Sequence, residues 1–136
     1  MSDSKSISVR AGRRTVRISR PEKPMFPDPI TKVELACYYE RVASAMLVHI
    51  AGRPLNMERY PDGIGGQRIM QQRAGSHFPD WIKRVTVPSE KGPVQHVVAD
   101  DAATLVYLAD QACITPHRWL SRSDRLDRPD QLIIDL

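Results

Sequence analysis

The stretch TKVELACYYERVASAMLVHIAGRP, residues 31–54, decides the fold class. Thr31 followed by Glu34 makes a capping box, in which each side chain satisfies a backbone N–H that the first helical turn leaves unpaired. Leu35, Tyr38, Tyr39, Val42, Ala45, Met46, His49 and Ile50 then recur at helical spacing and form one apolar face. Gly52 and Pro54 stop the pattern, since glycine ends helices readily and proline cannot continue one. The spacing predicts an amphipathic helix from Thr31 to about Gly52.

Upstream of that helix, Pro21, Pro24, Pro27 and Pro29 predict irregular chain to about residue 30. Arg14 to Ser19 alternates polar and apolar residues and predicts a short strand. Met1 to Ala11 reads as a disordered lead-in, so residues 1–13 are expected to be a basic disordered arm ahead of a domain covering 14–136. Downstream, Pro54 to Tyr60 and Arg68 to Gln72 predict paired strands around the loop Pro61 to Gly66. Trp81 to Val87 and Val94 to Ala99 predict two more strands. Asp100 or Asp101 can cap a second helix running to about Cys113, with Ala102, Leu105, Val106, Leu108, Ala109 and Ala112 on its apolar face. Ile114 to Leu120 is extended, Ser121 to Asp130 is a polar loop, and Gln131 to Leu136 reads as a last apolar strand. Strands with two well-marked helices predict an α/β (α+β) domain, a mixed sheet with two main helices. An unpaired apolar last strand is an association risk, so dimerisation or poor solubility is expected.

The composition fits one globular domain: 136 residues, 41% hydrophobic and 26% charged. No apolar run is long enough to span a bilayer, and Met1 to Arg20 holds no stretch of signal-peptide type, so no membrane association is expected and the cytoplasm is the expected compartment. Cys37 and Cys113 lie far apart and read as two reduced, packed thiols, and no Cys or His spacing suggests zinc. Residues 1–20 carry six cations against one acid, Asp3, for +5, whereas the rest carries 14 basic and 15 acidic residues, for −1. The N-terminal end can therefore bind phosphates by counterion release, or serve only as a solvated tail.

Four constellations could carry chemistry. Gly63 to Gly66 lacks the lysine and Ser/Thr of a phosphate loop and reads first as a hairpin turn. Lys23 sits in the proline-rich loop and Lys32 in the first helical turn, where unpaired N–H groups and the positive dipole end favour an anion; surface lysines are the plainer alternative. His117-Arg118-Trp119 could meet a nucleotide's phosphates or base. Asp135, after an apolar strand, is the kind of acid that holds divalent ions in polymerases, a task needing more than one carboxylate.

In their order along the chain these segments resemble one family, the polymerase (primase-like) domain of bacterial ligase D, within the archaeo-eukaryotic primases. The resemblance is carried by Val16 to Pro27, by Thr31-Lys32 with Tyr38-Tyr39 and His49 to Pro54, by Arg59 to Ile64, by His117 to Arg122 with Asp124 to Asp130, and by Leu132 to Leu136. It implies the N-terminal part of a primase-polymerase fold over about residues 14–136, ending within the catalytic Asp motif. It implies filling and extension of broken DNA ends in non-homologous end joining, by metal-dependent nucleotidyl transfer to a 3′-hydroxyl with Mn²⁺ or Mg²⁺. The partners it implies are DNA ends with a 5′-phosphate, nucleoside triphosphates, Ku, and a ligase domain or chain at the bacterial nucleoid. Lys23 and Lys32 match the family's 5′-phosphate-binding pair, His117 its active-site histidine, and Asp135 its first metal-binding aspartate. Arg59, Ile69, Met70 and Arg73 are the DNA-contact candidates.

Two departures stand out. Where the family has a Phe-Phe pair followed by lysine, this chain has Ile69-Met70-Gln71-Gln72, which offers apolar contact without a π-face, and Arg73 stands next to the lost charge. The motif's second aspartate would follow Leu136. The expectation is a chain inactive by itself as a polymerase, a non-catalytic DNA-end-binding module or half of a split polymerase; a general protein-interaction domain would leave the ordered motifs unexplained.

Overall fold

The capping box forms as the residues dictate. Thr31 is the N-cap of α1 (Lys32–Ile50); its side chain accepts from the Glu34 N–H, and the Glu34 carboxylate accepts from the Thr31 N–H at 2.8 Å. The computed structural model describes residues 5–136. Ahead of α1 lie β1 (Ser6–Ala11), β2 (Arg14–Ser19), β3 (Pro24–Phe26) and β4 (Ile30–Thr31). After it come β5 (Leu55–Arg59), β6 (Ile69–Gln71), β7 (Lys83–Val87), β8 (Val94–Val98), α2 (Ala102–Asp110) and β9 (Cys113–Arg118).

The α/β class holds, with every strand pairing antiparallel. The sheets are small: β1-β2, β3-β4, β6-β5-β9 and β7-β8, with a single bridge from Pro54 to Val98 joining the last pair to the start of β5. One apolar cluster unites them. Ile18 from β2, Leu35 and Tyr39 from α1, Leu55 and Met57 from β5, Val97 from β8, and Leu105 and Leu108 from α2 all belong to it. Tyr39 pins α1 to β9, its buried hydroxyl lying 2.9 Å from the Cys113 carbonyl and 2.8 Å from that of Ile114.

Several expectations are corrected. Ser6 to Ala11 is not a disordered arm: it pairs residue by residue with Arg14 to Ser19, because Val9 and Ala11 join Val16 and Ile18 in facing inward. Residues 1–4 of the expected arm lie outside the described residues. The proline-rich loop carries a short β3-β4 pairing, with its register broken between Pro24 and Phe26. The buried face of α1 is Leu35, Ala36, Tyr39, Ala43 and Ile50, while Tyr38, Ala45, Val48 and His49 are exposed. This face includes the small residues Ala36 and Ala43, which a search for large apolar side chains passes over. The second helix, capped by Asp101, is buried on every side from Ala103 to Ala109, and Cys113 belongs to β9 instead. Gln131 to Leu136 forms no strand. Leu132, Ile133 and Ile134 are 83%, 60% and 73% exposed, since a strand needs a neighbouring edge for its backbone groups and none of the described strands supplies one. Both cysteines are free thiols, Cys113 buried and Cys37 half-buried.

The polar loop after β9 is nonetheless fixed. Buried Arg53 grips Asp130 through two parallel hydrogen bonds of 2.8 and 3.0 Å, and the Ser123 N–H donates to the Gly52 carbonyl at 2.7 Å. Gly52 has φ of +75°, and a Cβ there would stand 2.7 Å from an Arg122 nitrogen. The Arg53 hydrogen bonds hold the Asp130 carboxyl below its ordinary pKa of 3.8. A folded-state pKa below the unfolded one means that the unfolded chain binds more protons in the interval between them, so stability rises with pH there. Asp130→Asn should therefore be less stable than the native chain above the ordinary value, and the gap should close as pH falls through the folded one. Urea unfolding at pH 7 and at pH 3 checks this; a gap unchanged with pH would refute it.

Candidate functional site

Lys32 opens α1 yet is buried, with a side chain only 8% exposed. Its ammonium donates to the Ser19 carbonyl at 2.8 Å and to the Ser19 hydroxyl at 3.3 Å, and lies 3.6 Å from the Asp110 carboxylate. That carboxylate also accepts the Ser19 N–H at 2.7 Å and hydroxyl at 3.0 Å. The end of β2, the start of α1 and the end of α2 thus meet at one charged knot. Burial lowers the Lys32 pKa, with Asp110 opposing the shift and the charges of Lys23 and Arg20 adding to it.

Lys23 stands beside Lys32. The Lys32 N–H donates to the Lys23 carbonyl at 2.9 Å, the Val33 N–H to the Pro21 carbonyl at 3.0 Å, and the Lys23 N–H to the Arg20 carbonyl at 3.0 Å. The first-turn N–H groups of α1 are therefore already used, by this loop and by the capping box. That corrects the expectation of unpaired N–H groups for an anion: whatever attracts one here comes from the ammonium groups and the helix dipole. The Lys23 ammonium, 3.5 Å from the exposed Asp62 carboxylate, is mostly covered.

Asp62 belongs to the glycine-rich loop, which is a turn that leans on β3. The Ile64 N–H donates to the Met25 carbonyl at 2.8 Å, and a Cβ on Gly63 would lie 3.1 Å from the Pro24 carbonyl oxygen. Glycine is needed there for that approach and for its φ of +90°. The loop thereby reaches Lys23, a link that residue spacing gave no means of seeing.

A second polar cluster lies on the β6-β5-β9 sheet. His117 Nε2 donates to Glu58 at 2.6 Å, the Tyr60 hydroxyl donates to the other Glu58 oxygen, and Arg68 lies 3.8 Å from that same oxygen. The Tyr60 hydrogen bond, then that of His117, hold the Glu58 carboxyl below its ordinary range. Tyr60 is pushed up by the same bond. Glu58 fixes which way the His117 ring turns, leaving the imidazole about half-exposed. Glu58 was missed from the sequence; the signal that could have found it is period-two spacing, which puts it on one strand face with Tyr60.

The remaining candidates are scattered. Arg59 donates to the Gln111 carbonyl at 2.7 Å and to the Gln71 side chain at 2.8 Å, tying β5 to β6 and to the end of α2. Ile69 and Met70 sit on edge strand β6 with Met70 47% exposed, and Arg73 is exposed just beyond. Trp119 packs edge-on against buried His96. Asp135 lies on the exposed segment after Asp130. Among the described residues no group of three or more His, Cys, Asp or Glu side chains is placed to hold a metal ion. No helix among them is long and apolar enough to cross a membrane.

The fold is an α/β domain in which Lys23 and Lys32 meet where the proline-rich loop folds back on the start of α1. The family model of the LigD primase-polymerase domain matches residues 31–136, and the chain belongs to that family. The chain is 32% identical over 108 residues to the multifunctional non-homologous end joining DNA repair protein LigD of Mycobacterium tuberculosis, covering 79% of this chain and 14% of that protein. It is 31% identical over 128 residues to the LigD of Pseudomonas aeruginosa, covering 93% and 15%. Among solved structures it is similar to the polymerase domain of M. tuberculosis ligase D in complex with DNA, with a TM-score of 0.76, 31% identity, and coverage of 79% of this chain and 38% of that one. The chain thus spans a small part of the relatives it matches.

The knot at Lys32 generates a stability prediction. Asp110→Ala leaves a buried ammonium without its counter-charge and should cost about 3 kcal/mol, the lower end for a broken buried pair. Lys23→Ala, at a single long ion pair with an exposed carboxylate, should stay within about 0.5 kcal/mol. Urea midpoints of the two variants decide it, and equal effects would remove the knot from its structural role.

Proposed function

We propose that this chain recognises 5′-phosphorylated DNA ends, as part of an end-joining polymerase of the ligase D family. The observation that carries the reading is the pairing of Lys23 and Lys32 across a 2.9 Å backbone hydrogen bond, with Arg20 on the same short loop. The charges of Lys23 and Lys32 act on one another, and a terminal phosphate dianion suits such a pair better than a mid-chain monoanion. The likeness to a polymerase domain in complex with DNA supports the reading.

His117, oriented by Glu58, is the group that would meet a nucleoside triphosphate. The parent reaction, nucleotidyl transfer to a 3′-hydroxyl with Mn²⁺ or Mg²⁺ held through Asp135, requires carboxylates that the described residues do not bring together. End binding is therefore the part of the activity assigned to this chain. Ku and a ligase domain or chain, at the bacterial nucleoid, are the partners that the same reading implies.

Fluorescence anisotropy with two gapped duplexes, identical except for a 5′-phosphate or 5′-hydroxyl at the recessed end, tests it at fixed salt. The expected result is tighter binding to the phosphate, with the preference lost in Lys23→Ala while the fold persists. Equal binding of the native chain to both ends would overturn the assignment.

A further inference from the structure

The β1-β2 hairpin divides its residues by face. Val9, Ala11, Val16 and Ile18 join the apolar cluster, and the register sets Ser8 opposite Arg17, Arg10 opposite Thr15 and Ser6 opposite Ser19 on the other side. That outer face holds only hydroxyls and guanidinium groups. Residues 5–20 contain six cations and no acid. Arg14 is occupied, stacked 4.7 Å over the Trp81 ring. Arg10, Arg13 and Arg17 remain exposed, and among the described residues no carboxylate lies within ion-pair distance of them.

Two of these guanidinium groups are held in place. Arg17 Nε donates to the Ser6 hydroxyl at 2.8 Å and Arg10 Nε to the Gly12 carbonyl at 2.9 Å, contacts that each use one nitrogen of an exposed residue. A six-residue strand spans roughly 20 Å, about half a turn of duplex DNA. At its far end Ser19 touches the Lys32 ammonium.

We infer that the outer face of the β1-β2 hairpin is a docking track for the sugar-phosphate backbone of duplex DNA, its arginines leading to the corner where Lys23 and Lys32 meet. The inference rests on the end-binding reading but makes a separate claim. The lysine corner reads the terminal phosphate; the hairpin supplies affinity that is indifferent to it. Anionic lipid headgroups share the phosphate chemistry, but a narrow, twisted ribbon of hydroxyls and arginines with no exposed apolar residue on that face suits a groove-edge backbone rather than a bilayer surface.

The experiment is a salt series of anisotropy measurements on the full chain with the phosphate- and hydroxyl-ended duplexes. Removing three phosphate contacts in the variant Arg10→Ser, Arg13→Ser, Arg17→Ser should flatten the slope of log affinity against log salt by about two to three. The preference for the 5′-phosphate should survive. The corresponding arginine-to-lysine variant, which keeps charge, should restore most of the slope and excludes misfolding as the cause. An unchanged slope in the serine variant would overturn the inference. So would tighter native binding to phosphatidylserine vesicles than to duplex at equal salt. Absence of the phosphate preference in the native chain, with the slope still flattened in the serine variant, would instead strike the end-binding reading.

Discussion

The contact between the Lys32 ammonium, Ser19 and the Asp110 carboxylate governs how the rest of the molecule is arranged. It fastens the last residue of one strand to the first turn of the long helix and the last turn of the short one. A charge is rarely buried without such partners, because loss of hydration must be offset by hydrogen bonds and an opposite charge. With that point fixed, the loop from Arg20 to Lys23 is folded back over the helix start, where its carbonyls take the first-turn N–H groups. Lys23 is thereby delivered to its place by backbone geometry, with a single long ion pair from its side chain to Asp62.

The same economy recurs elsewhere. Tyr39 fixes α1 to β9, Arg53 fixes the polar loop, and Arg59 fixes β5 to the end of α2. Each is a long side chain satisfying backbone or carboxylate groups that small sheets leave unpaired. With the sheet divided into pieces of two or three strands, there are many edges, and such links replace the hydrogen bonds that a wide sheet would provide.

Much of the fold was legible in the sequence because it is written in local signals. The capping box at Thr31 and Glu34, the second helix's cap at Asp100 or Asp101, the β5-β6 hairpin and the separate strands β7 and β8 are all marked by patterns within short stretches of chain. Part of what local reading missed was decided by distant partners. The buried face of α1 runs through Ala36 and Ala43, in one apolar cluster with residues of α2, whereas the β1-β2 hairpin is itself local and was missed because only Val9 and Ala11 of its first strand face inward. Of the site, the resemblance led to Lys23, Lys32 and His117. It did not reveal that Lys32 is internal, that Asp110 shares it, or that Glu58 holds His117. Ion pairs between residues so far apart in sequence leave no periodic trace.

The β5-β9 pairing bears on how the chain reaches this state. Leu55 pairs with Arg118 and Met57 with Pro116, so the two strands meet across a loop that holds β6, β7, β8 and α2. Hairpins and helices form from nearby residues in microseconds, whereas closing a long loop spends chain entropy before any contact repays it. The sheet that carries both Glu58 and His117 thus joins residues 59 apart in sequence. Its histidine is oriented only once β5 and β9 have paired, which makes the state of that side chain a reporter of that long-range closure.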